Sequence, residues 1–497
     1  MKKASIKVNF IMNSLLSISS FLFPMITFPY ISRVLLASGT GRINFATSIV
    51  NYVLTLSMLG IPLYGVKACA VDRKDRKKLS QTVLELLVLN GIAGGAGLLV
   101  LLGATLLVKE FRAQWELIAV MSLLVPLNII GAEWFYRGME EYTYISLRNM
   151  GFKLIGVLLM FLLVHDKQDV LVYGGILVLA GAGSYLLNFI RLRKYVRFGG
   201  LQRLDLKRHI RPVLSFFVLS VSWTIYTNTD VIMLGMIQGE TAVGYYSASL
   251  RIKAIILGIV SALSGVLLPR VVHFFAEKRY EEAVGMIRKN ASFVLLSSLY
   301  FIGFIIINAR EVILLLAGKG YLPAIPVIQV TILMVLLVGY SSLLGTNVLI
   351  SLGRERITIL ASFVGIGVNV ILNAYLIPRY SALGAGIATV VGECCMILCE
   401  MVCIGKEIRT YFDRGNCKKT LLAFFVSAAA ALLLKGGLSG FLSERQEIWR
   451  LLVYLLLAGS FYTCLYLALL YRLREEMVWN QGRRLLKKLR KKERKHR

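Results

Sequence analysis

Four basic side chains lie inside long apolar runs of the chain: Arg33, Lys153, Arg251 and Lys253. An ionisable group buried in a lipid bilayer is costly, so each is a candidate functional residue whose charge would compensate that of an anion. The competing interpretations are that Arg33 and Lys153 extend to the lipid headgroups and that Arg251 forms an ion pair between helices. Lys253 lies two residues beyond Arg251 on a helix, so the two side chains do not point the same way, and the small residues beside Arg251 favour that one for a cavity.

Carboxyl groups in the same kind of run suggest ion coupling. Glu393 lies near the middle of an apolar run, and Asp230 follows the polar residues 226–229. A lone carboxylate in lipid is expected to be protonated, while the oxygens that precede Asp230 would suit either Na⁺ or a hydrogen-bonded acid. We therefore expect H⁺ or Na⁺ coupling through one of these two acids, and we expect Glu400, nearer the end of its run, only to extend to the headgroups. Glu133 and Arg137 have the spacing of a salt bridge within a helix and are expected to form a gate or a structural ion pair.

The composition identifies the setting of these residues. Of the 497 residues 57% are hydrophobic and 17% charged, and the formal net charge is +30. A soluble protein averages about 45–50% apolar and about 25% charged residues. The basic residues form short clusters between apolar runs, which excludes a soluble nucleic-acid-binding protein.

Several kinds of chemistry are absent from the motifs. The chain has no phosphate-binding Gly-x-x-x-x-Gly-Lys-Ser/Thr loop, no dinucleotide fingerprint after a strand and no surface loop suited to catalysis. Its seven cysteines lie in or beside apolar runs without zinc spacing. We therefore expect neither an enzyme nor a metal site nor a cofactor.

The apolar runs predict an all-α polytopic membrane protein with fourteen transmembrane helices. Each run is about the 20 residues that a bilayer core requires. The predicted spans are 10–36, 42–66, 80–108, 115–136, 147–164, 171–190, 212–237, 243–269, 290–308, 324–350, 357–377, 382–404, 420–438 and 451–471. With this count, 43 of the 57 Lys and Arg residues fall in segments on one side and 10 on the other. The positive-inside rule therefore places both termini in the cytoplasm.

An internal repeat predicts two lobes of six helices. Gly41, which opens span 2, corresponds to Gly244, which opens span 8, and later matches keep the same order with a drifting offset. Because six is even, the lobes should be related by a pseudo-two-fold axis along the membrane normal. The predicted domains are an N-lobe (1–195), a basic cytoplasmic linker (196–211), a C-lobe (212–404), two further spans (405–471) and a basic tail (472–497). The tail is expected to lie on anionic lipid rather than to bind nucleic acid.

Several segments resemble the polysaccharide-biosynthesis flippases of the multidrug/oligosaccharidyl-lipid/polysaccharide exporter superfamily. They are PYISRVL from Pro29, GTGRINFA from Gly39, GIPLYG from Gly60, EWFYRGMEEYTYISLR from Glu133, and DVIMLG from Asp230 followed by GYY from Gly244. The resemblance implies the branch that moves O-antigen or teichoic-type oligosaccharides on polyprenyl diphosphate from the cytoplasmic to the outer leaflet. It also implies a bacterial plasma (inner) membrane, alternating access between lobes, and glycan polymerase machinery as a partner.

This resemblance implies a role for the basic side chains inside the apolar runs, which is to bind the diphosphate of the cargo. Arg33 and Arg251 would hold the diphosphate, with Lys153 meeting it at entry and Lys253 as a further candidate. Three alternatives stay open: a peptidoglycan lipid-precursor flippase, a drug/cation antiporter of the same superfamily, and a membrane scaffold for glycan assembly. A cation exporter would need an acidic cavity, and a scaffold gives no reason for charges inside spans.

Overall fold

A computed structural model describes residues 6–197, 204–438 and 448–484, and over these residues the chain is helical with no β-strand. The α-helices in chain order are α1 (Ile6–Met58), α2 (Ile61–Asp72), α3 (Arg76–Leu107), α4 (Lys109–Arg112), α5 (Trp115–Ser122), α6 (Leu124–Gly131), α7 (Glu133–Gly138), α8 (Tyr142–Leu163), α9 (Val170–Val178), α10 (Tyr185–Leu192), α11 (Lys207–Gln238), α12 (Glu240–Ala276), α13 (Tyr280–Ile307), α14 (Ala309–Leu316), α15 (Ile325–Thr331), α16 (Met334–Ser341), α17 (Glu355–Ile404), α18 (Ile408–Tyr411), α19 (Arg414–Leu438) and α20 (Ile448–Arg472). Two π-helices, Leu179–Gly183 and Ser342–Ile350, interrupt the α-helical pattern.

Among the described residues, twelve helical stretches are long and apolar enough to cross a membrane. Two of them, Phe23–Asp72 and Glu355–Tyr411, have 50 and 57 residues. At about 1.5 Å per residue each is more than twice the thickness of a bilayer core, about 30 Å. Each contains a residue with a left-handed backbone, Leu36 (φ 58°) in α1 and Ser381 (φ 52°) in α17, where the helix breaks. The predicted all-α membrane architecture is therefore confirmed, whereas these helices number twelve and not fourteen.

The break in α1 lies earlier than the sequence predicts. The segment 37–41, expected to be a loop, is helical and continues to Met58. Its glycines serve close packing instead of a turn: a Cβ at Gly41 would lie 1.7 Å from the carbonyl oxygen of Glu240. The actual turn after this segment is at Leu59 and Gly60, both with positive φ.

The chain divides into two compact units, residues 1–247 and 248–497. The core of the first includes Phe135 and Tyr136, and the core of the second includes Leu343 and Leu344. Large apolar side chains such as Leu107 (84% exposed) cover the outside of the helices, as a lipid-facing surface requires. The predicted lobe boundaries rest on the repeat and stay a prediction; residues 1–5, 198–203 of the linker and 485–497 of the tail lie outside the described residues.

Candidate functional site

A polar seam joins the second half of α1 to α11 inside the first unit. Three side-chain hydrogen bonds form it: Asn51 Nδ2 to Asn228 Oδ1 (3.1 Å), Tyr52 Oη with Thr229 Oγ1 (2.5 Å) and Thr55 Oγ1 with Thr224 Oγ1 (2.7 Å). On each helix an adjacent pair and a residue about one turn away take part, so the bonds lie along facing surfaces of the two helices. The seam therefore pairs predicted spans 2 and 7 through polar side chains at a depth where lipid offers none.

Asp230 lies directly beside this seam. Its side chain is 4% exposed, and Tyr246 Oη donates to its Oδ2 atom over 2.6 Å. The hydrogen bond comes from α12, so the carboxyl group links α11 to the helix that follows it. Two of the polar residues that precede Asp230 in the sequence, Asn228 and Thr229, hydrogen-bond to α1.

A cavity of about 450 Å³ opens at one end of the seam. Thr55, Thr224, Ser220 and Asn128 contribute polar groups to its lining, and Trp223 contributes an indole ring. The volume is within the usual range for a small-molecule site, about 300–1,000 Å³. Hydroxyl and amide groups beside an aromatic ring can contact both the hydroxyls and the apolar face of a sugar.

Arg33 and Lys153 lie in the first unit, and each donates a hydrogen bond to an atom of α1. Arg33 Nη1 donates to the carbonyl oxygen of Pro29 (2.6 Å), one turn back on α1, and the side chain is half-buried. Lys153 Nζ donates to Ser19 Oγ (3.2 Å), which ties α8 to α1. In this conformation, the two residues contact different parts of α1.

Glu133 is the centre of a charged cluster. Arg137 Nη2 lies 2.7 Å from its Oε1 atom, as the spacing predicts, and Arg148 Nη2 lies 3.3 Å from its Oε2 atom. The Arg148 side chain is 3% exposed and lies between the rings of Tyr144 and Tyr185. Arg148 is not among the site residues predicted from the sequence, although it lies in the first turn of the predicted span 147–164; the acidic partner fifteen positions away was the available signal.

Arg251, Lys253 and Glu393 belong to the second unit. Arg251 and Lys253 are half-buried on α12, and Lys253 Nζ lies 3.7 Å from Met334 Sδ. Glu393 is 3% exposed in the second half of α17. Arg33 and Asp230 belong to the first unit, so the predicted site residues are divided between the two units.

An ionic cluster around the buried Glu85 lies at the start of α11 and was not predicted from the sequence. Glu85 on α3 is fully buried and accepts hydrogen bonds from Arg208 Nε (2.8 Å) and from the backbone N–H of Asp205 (2.8 Å). His209 Nε2 lies 2.8 Å from Glu85 Oε2, and His209 Nδ1 lies 2.9 Å from Tyr64 Oη. We call these residues, Glu85, Arg208, His209 and Tyr64, the α11 clasp. It fixes the first turn of α11 to α2 and α3.

Comparisons with known sequences and structures agree with this architecture. The chain is 23% identical over 401 residues to the "Putative O-antigen transporter" of Escherichia coli (strain K12), covering 79% of this chain and 95% of that protein. It is 22% identical over 402 residues to the protein of the same description from Shigella dysenteriae, covering 79% and 98%. Both relatives are described as transporters and not as enzymes.

Two solved structures share the fold. "Lipid II flippase MurJ, inward closed conformation" superposes with a TM-score of 0.68 over 93% of this chain and 99% of that chain, at 14% identity. A multidrug resistance MATE family transporter of the MOP superfamily, in an inward-facing conformation, has a TM-score of 0.56 at 16% identity, covering 78% and 95%. The family model described as "Polysaccharide biosynthesis protein" matches residues 6–275, more than half of the sequence. This chain therefore belongs to the polysaccharide biosynthesis protein family, as its sequence motifs predict.

Proposed function

We propose that this protein is a flippase that moves a polyprenyl-diphosphate-linked oligosaccharide from the cytoplasmic to the outer leaflet for assembly of a surface polysaccharide. The family match together with relatives described as O-antigen transporters carries the proposal. Because the long helices α1 and α17 each break once, we infer fourteen membrane crossings. The distribution of basic residues supports a cytoplasmic position for both termini, and the family resemblance supports a bacterial inner membrane. Movement proceeds by alternating access between a lobe of spans 1–6 and a lobe of spans 7–12.

The basic side chains inside the apolar helices support a phosphate-bearing cargo. A diphosphate loses its hydration when it enters a low-dielectric space, so it needs cationic partners there. Arg33 and Arg251 serve as these partners in the proposal, with Lys153 at entry and Lys253 nearby. The hydroxyl and amide groups of the cavity beside Thr55 and Thr224 are suited to sugar hydroxyls. The polyprenyl chain stays in the lipid.

Further parts of the proposal rest on charge and on the family resemblance. The Glu133–Arg137 pair acts as a gate or a structural ion pair at the predicted cytoplasmic end of its span. Transport is coupled to H⁺ or Na⁺ through buried carboxyl groups, of which Glu393 and Asp230 are the sequence-based candidates. The basic tail lies on anionic lipids, and glycan polymerase machinery receives the product.

Mass spectrometry of polyprenyl-diphosphate intermediates in cells lacking this protein tests the function. We expect a complete oligosaccharide repeat to accumulate, inaccessible to a glycan-modifying enzyme added outside, and to become accessible when the protein is restored. Accumulation of a peptidoglycan precursor instead would assign that cargo. Unchanged intermediates in a strain without a redundant transporter would contradict both, and would direct attention to drug export or a scaffold.

Replacing Arg251 by alanine is expected to lower flipping while leaving the protein in the membrane. A hydrogen bond to a charged group contributes about 1.5–3 kcal/mol, which corresponds to roughly a ten- to hundredfold lower rate. The measurement is surface polysaccharide formed per unit of membrane-inserted protein. Arg270→Ala is the matched control because Arg270 is exposed on the same helix. Full activity of Arg251→Ala would remove Arg251 from the cargo site.

A further inference from the structure

The Glu400 side chain is an unpartnered acid in the interior of the second unit. It is fully buried, and neither carboxyl oxygen has a hydrogen-bond partner among the described residues. Ile397 and Ile404 flank it on the same face of α17, within a core that also contains Leu344 and Val348 of the π-helix. The expectation that Glu400 extends to the headgroups is therefore wrong: its side chain points inward because it shares the buried face of the helix.

One uncharged polar group, the Thr358 hydroxyl, lies near the Glu400 carboxyl group within this core. A Cβ at Gly345 would lie 2.9 Å from Glu400 Oε1 and 3.5 Å from Thr358 Oγ1, so the carboxyl group and this hydroxyl approach the same point of the π-helix. Asn347 of the π-helix is 1% exposed, with both amide atoms unpartnered, and Thr358 Oγ1 is also unpartnered. The Glu400 carboxyl group and the Thr358 hydroxyl thus lie near one another without forming a hydrogen bond, and Asn347 is a further unpartnered polar group of the π-helix.

An ionised carboxylate in this place would have no compensation. No ion pair to Glu400 is present among the described residues, and the ionisable groups that interact with it electrostatically are Glu393, seven residues earlier on α17, and the adjacent thiol of Cys399, neither of which carries a positive charge. The first half of α17 contributes the Thr358 hydroxyl beside Glu400, and α18 contributes Tyr411 to the adjoining core. Asn347 of the π-helix and Ser351 just after it are further unpartnered polar side chains. An uncompensated buried charge is far more costly than a buried neutral acid, so a proton is the ligand that this site can hold.

We propose that Glu400 is a proton-binding residue, which holds a proton in this conformation and releases it when the surrounding helices move apart. On release the carboxyl O–H bond breaks, the proton passes to water, and the remaining carboxylate can accept a hydrogen bond from the nearby Thr358 hydroxyl. Glu400 is four residues from the end of α17 at Ile404, so water from the predicted cytoplasmic side has a short path to it. The neighbouring π-helix is an irregular turn of a kind that often occurs at functional sites. This role rests on the proposed transport function and makes the coupling ion a proton.

Chemical labelling tests proton binding without requiring transport. A lipid-soluble carbodiimide reacts with protonated carboxyl groups in membranes, and peptide mass spectrometry locates the adduct. In purified protein reconstituted in liposomes, we expect Glu400 to be labelled, labelling to fall as the pH rises, and Glu400→Gln to lose the adduct at this position. Glu407→Gln, which alters an exposed carboxyl group beyond the end of the same helix, is the matched control and should keep it. Absence of an adduct at Glu400, or protection by Na⁺ in place of high pH, would overturn the proposal.

A transport measurement then tests coupling. Liposomes carrying the protein and a polyprenyl-diphosphate-linked sugar are given a proton gradient, and the flipping rate is compared with that at equal pH. We expect wild type to respond to the gradient and Glu400→Gln to flip at equal pH but lose the response. An unchanged response in Glu400→Gln would refute the coupling role. Wild type that is labelled at Glu400 but moves no lipid would contradict the proposed function alone; if Glu400→Gln does not fold, labelling of wild type still decides whether Glu400 binds a proton.

Discussion

Replacing Gly244 by alanine is expected to disrupt the first unit and to abolish transport. A Cβ at this position would lie 2.0 Å from the carbonyl oxygen of Ala37, which is a backbone atom that no side-chain rotation can move away. The two helices must therefore separate or the variant must not fold. Inserting a methyl group into a tightly packed interior costs about 1–3 kcal/mol, and more where backbone is in the way. Thermal unfolding in detergent and surface polysaccharide formed by the variant are the two measurements.

The control for this substitution is Gly91→Ala on α3. Gly91 is exposed, and no atom of the described residues lies near its Cβ position. Alanine is favoured over glycine in a helix by about 1 kcal/mol, so this variant should be at least as stable as the wild type. Gly41→Ala should resemble Gly244→Ala, because its Cβ would meet the backbone of Glu240. If Gly244→Ala were as stable and active as Gly91→Ala, the close contact between α1 and α12 would not exist in the folded protein.

The same two glycines explain what the sequence could and could not reveal about the fold. Their equivalence in the internal repeat was visible, because each opens a corresponding apolar run. Their contact was not: a Cβ at Gly41 would lie 2.9 Å from the backbone nitrogen of Gly244, so equivalent residues of the two repeats meet. A glycine that permits a turn and one that permits close packing look alike in a sequence, so 37–41 was predicted as a loop.

Charged residues show a similar division. Apolar runs make an isolated charge such as Arg33 or Glu393 conspicuous, and the sequence therefore shows which ionisable residues lie inside apolar segments. It could not predict partners, since Arg148 and Glu85 find theirs through tertiary packing. Glu85 precedes its partner Arg208, which lies in the predicted basic linker, by 123 positions. Glu85 and Arg148 both lie in the first turns of predicted spans, where a charged residue is also typical of a solvated helix end. Their burial is therefore not apparent from periodicity alone.

The α11 clasp is expected to make Glu85 one of the most sensitive acidic residues of the protein. Its carboxylate accepts hydrogen bonds from Arg208, from Gln81 Nε2 (3.0 Å) and from the backbone of Asp205, and all of them would lose their acceptor in Glu85→Ala. His209 would lose its Glu85 partner too, while its side chain is 3% exposed. Leaving a buried donor without an acceptor costs about 1–3 kcal/mol, whereas Arg208 is 43% exposed and its charge can turn to water.

We therefore expect a clearly lower unfolding temperature for Glu85→Ala in detergent, with a smaller decrease for Glu85→Gln, which keeps one acceptor oxygen. Glu116→Ala is the comparison, since Glu116 is an exposed acid on α5 and its removal should change stability little. Equal unfolding temperatures for Glu85→Ala and Glu116→Ala would show that the clasp contributes nothing to stability. Because the clasp fixes the first turn of α11, which is predicted span 7, to α2 and α3 of the N-lobe, it also constrains where the two predicted lobes can part. Loss of transport in Glu85→Gln at near-normal stability would therefore indicate that rocking of the lobes depends on this anchor.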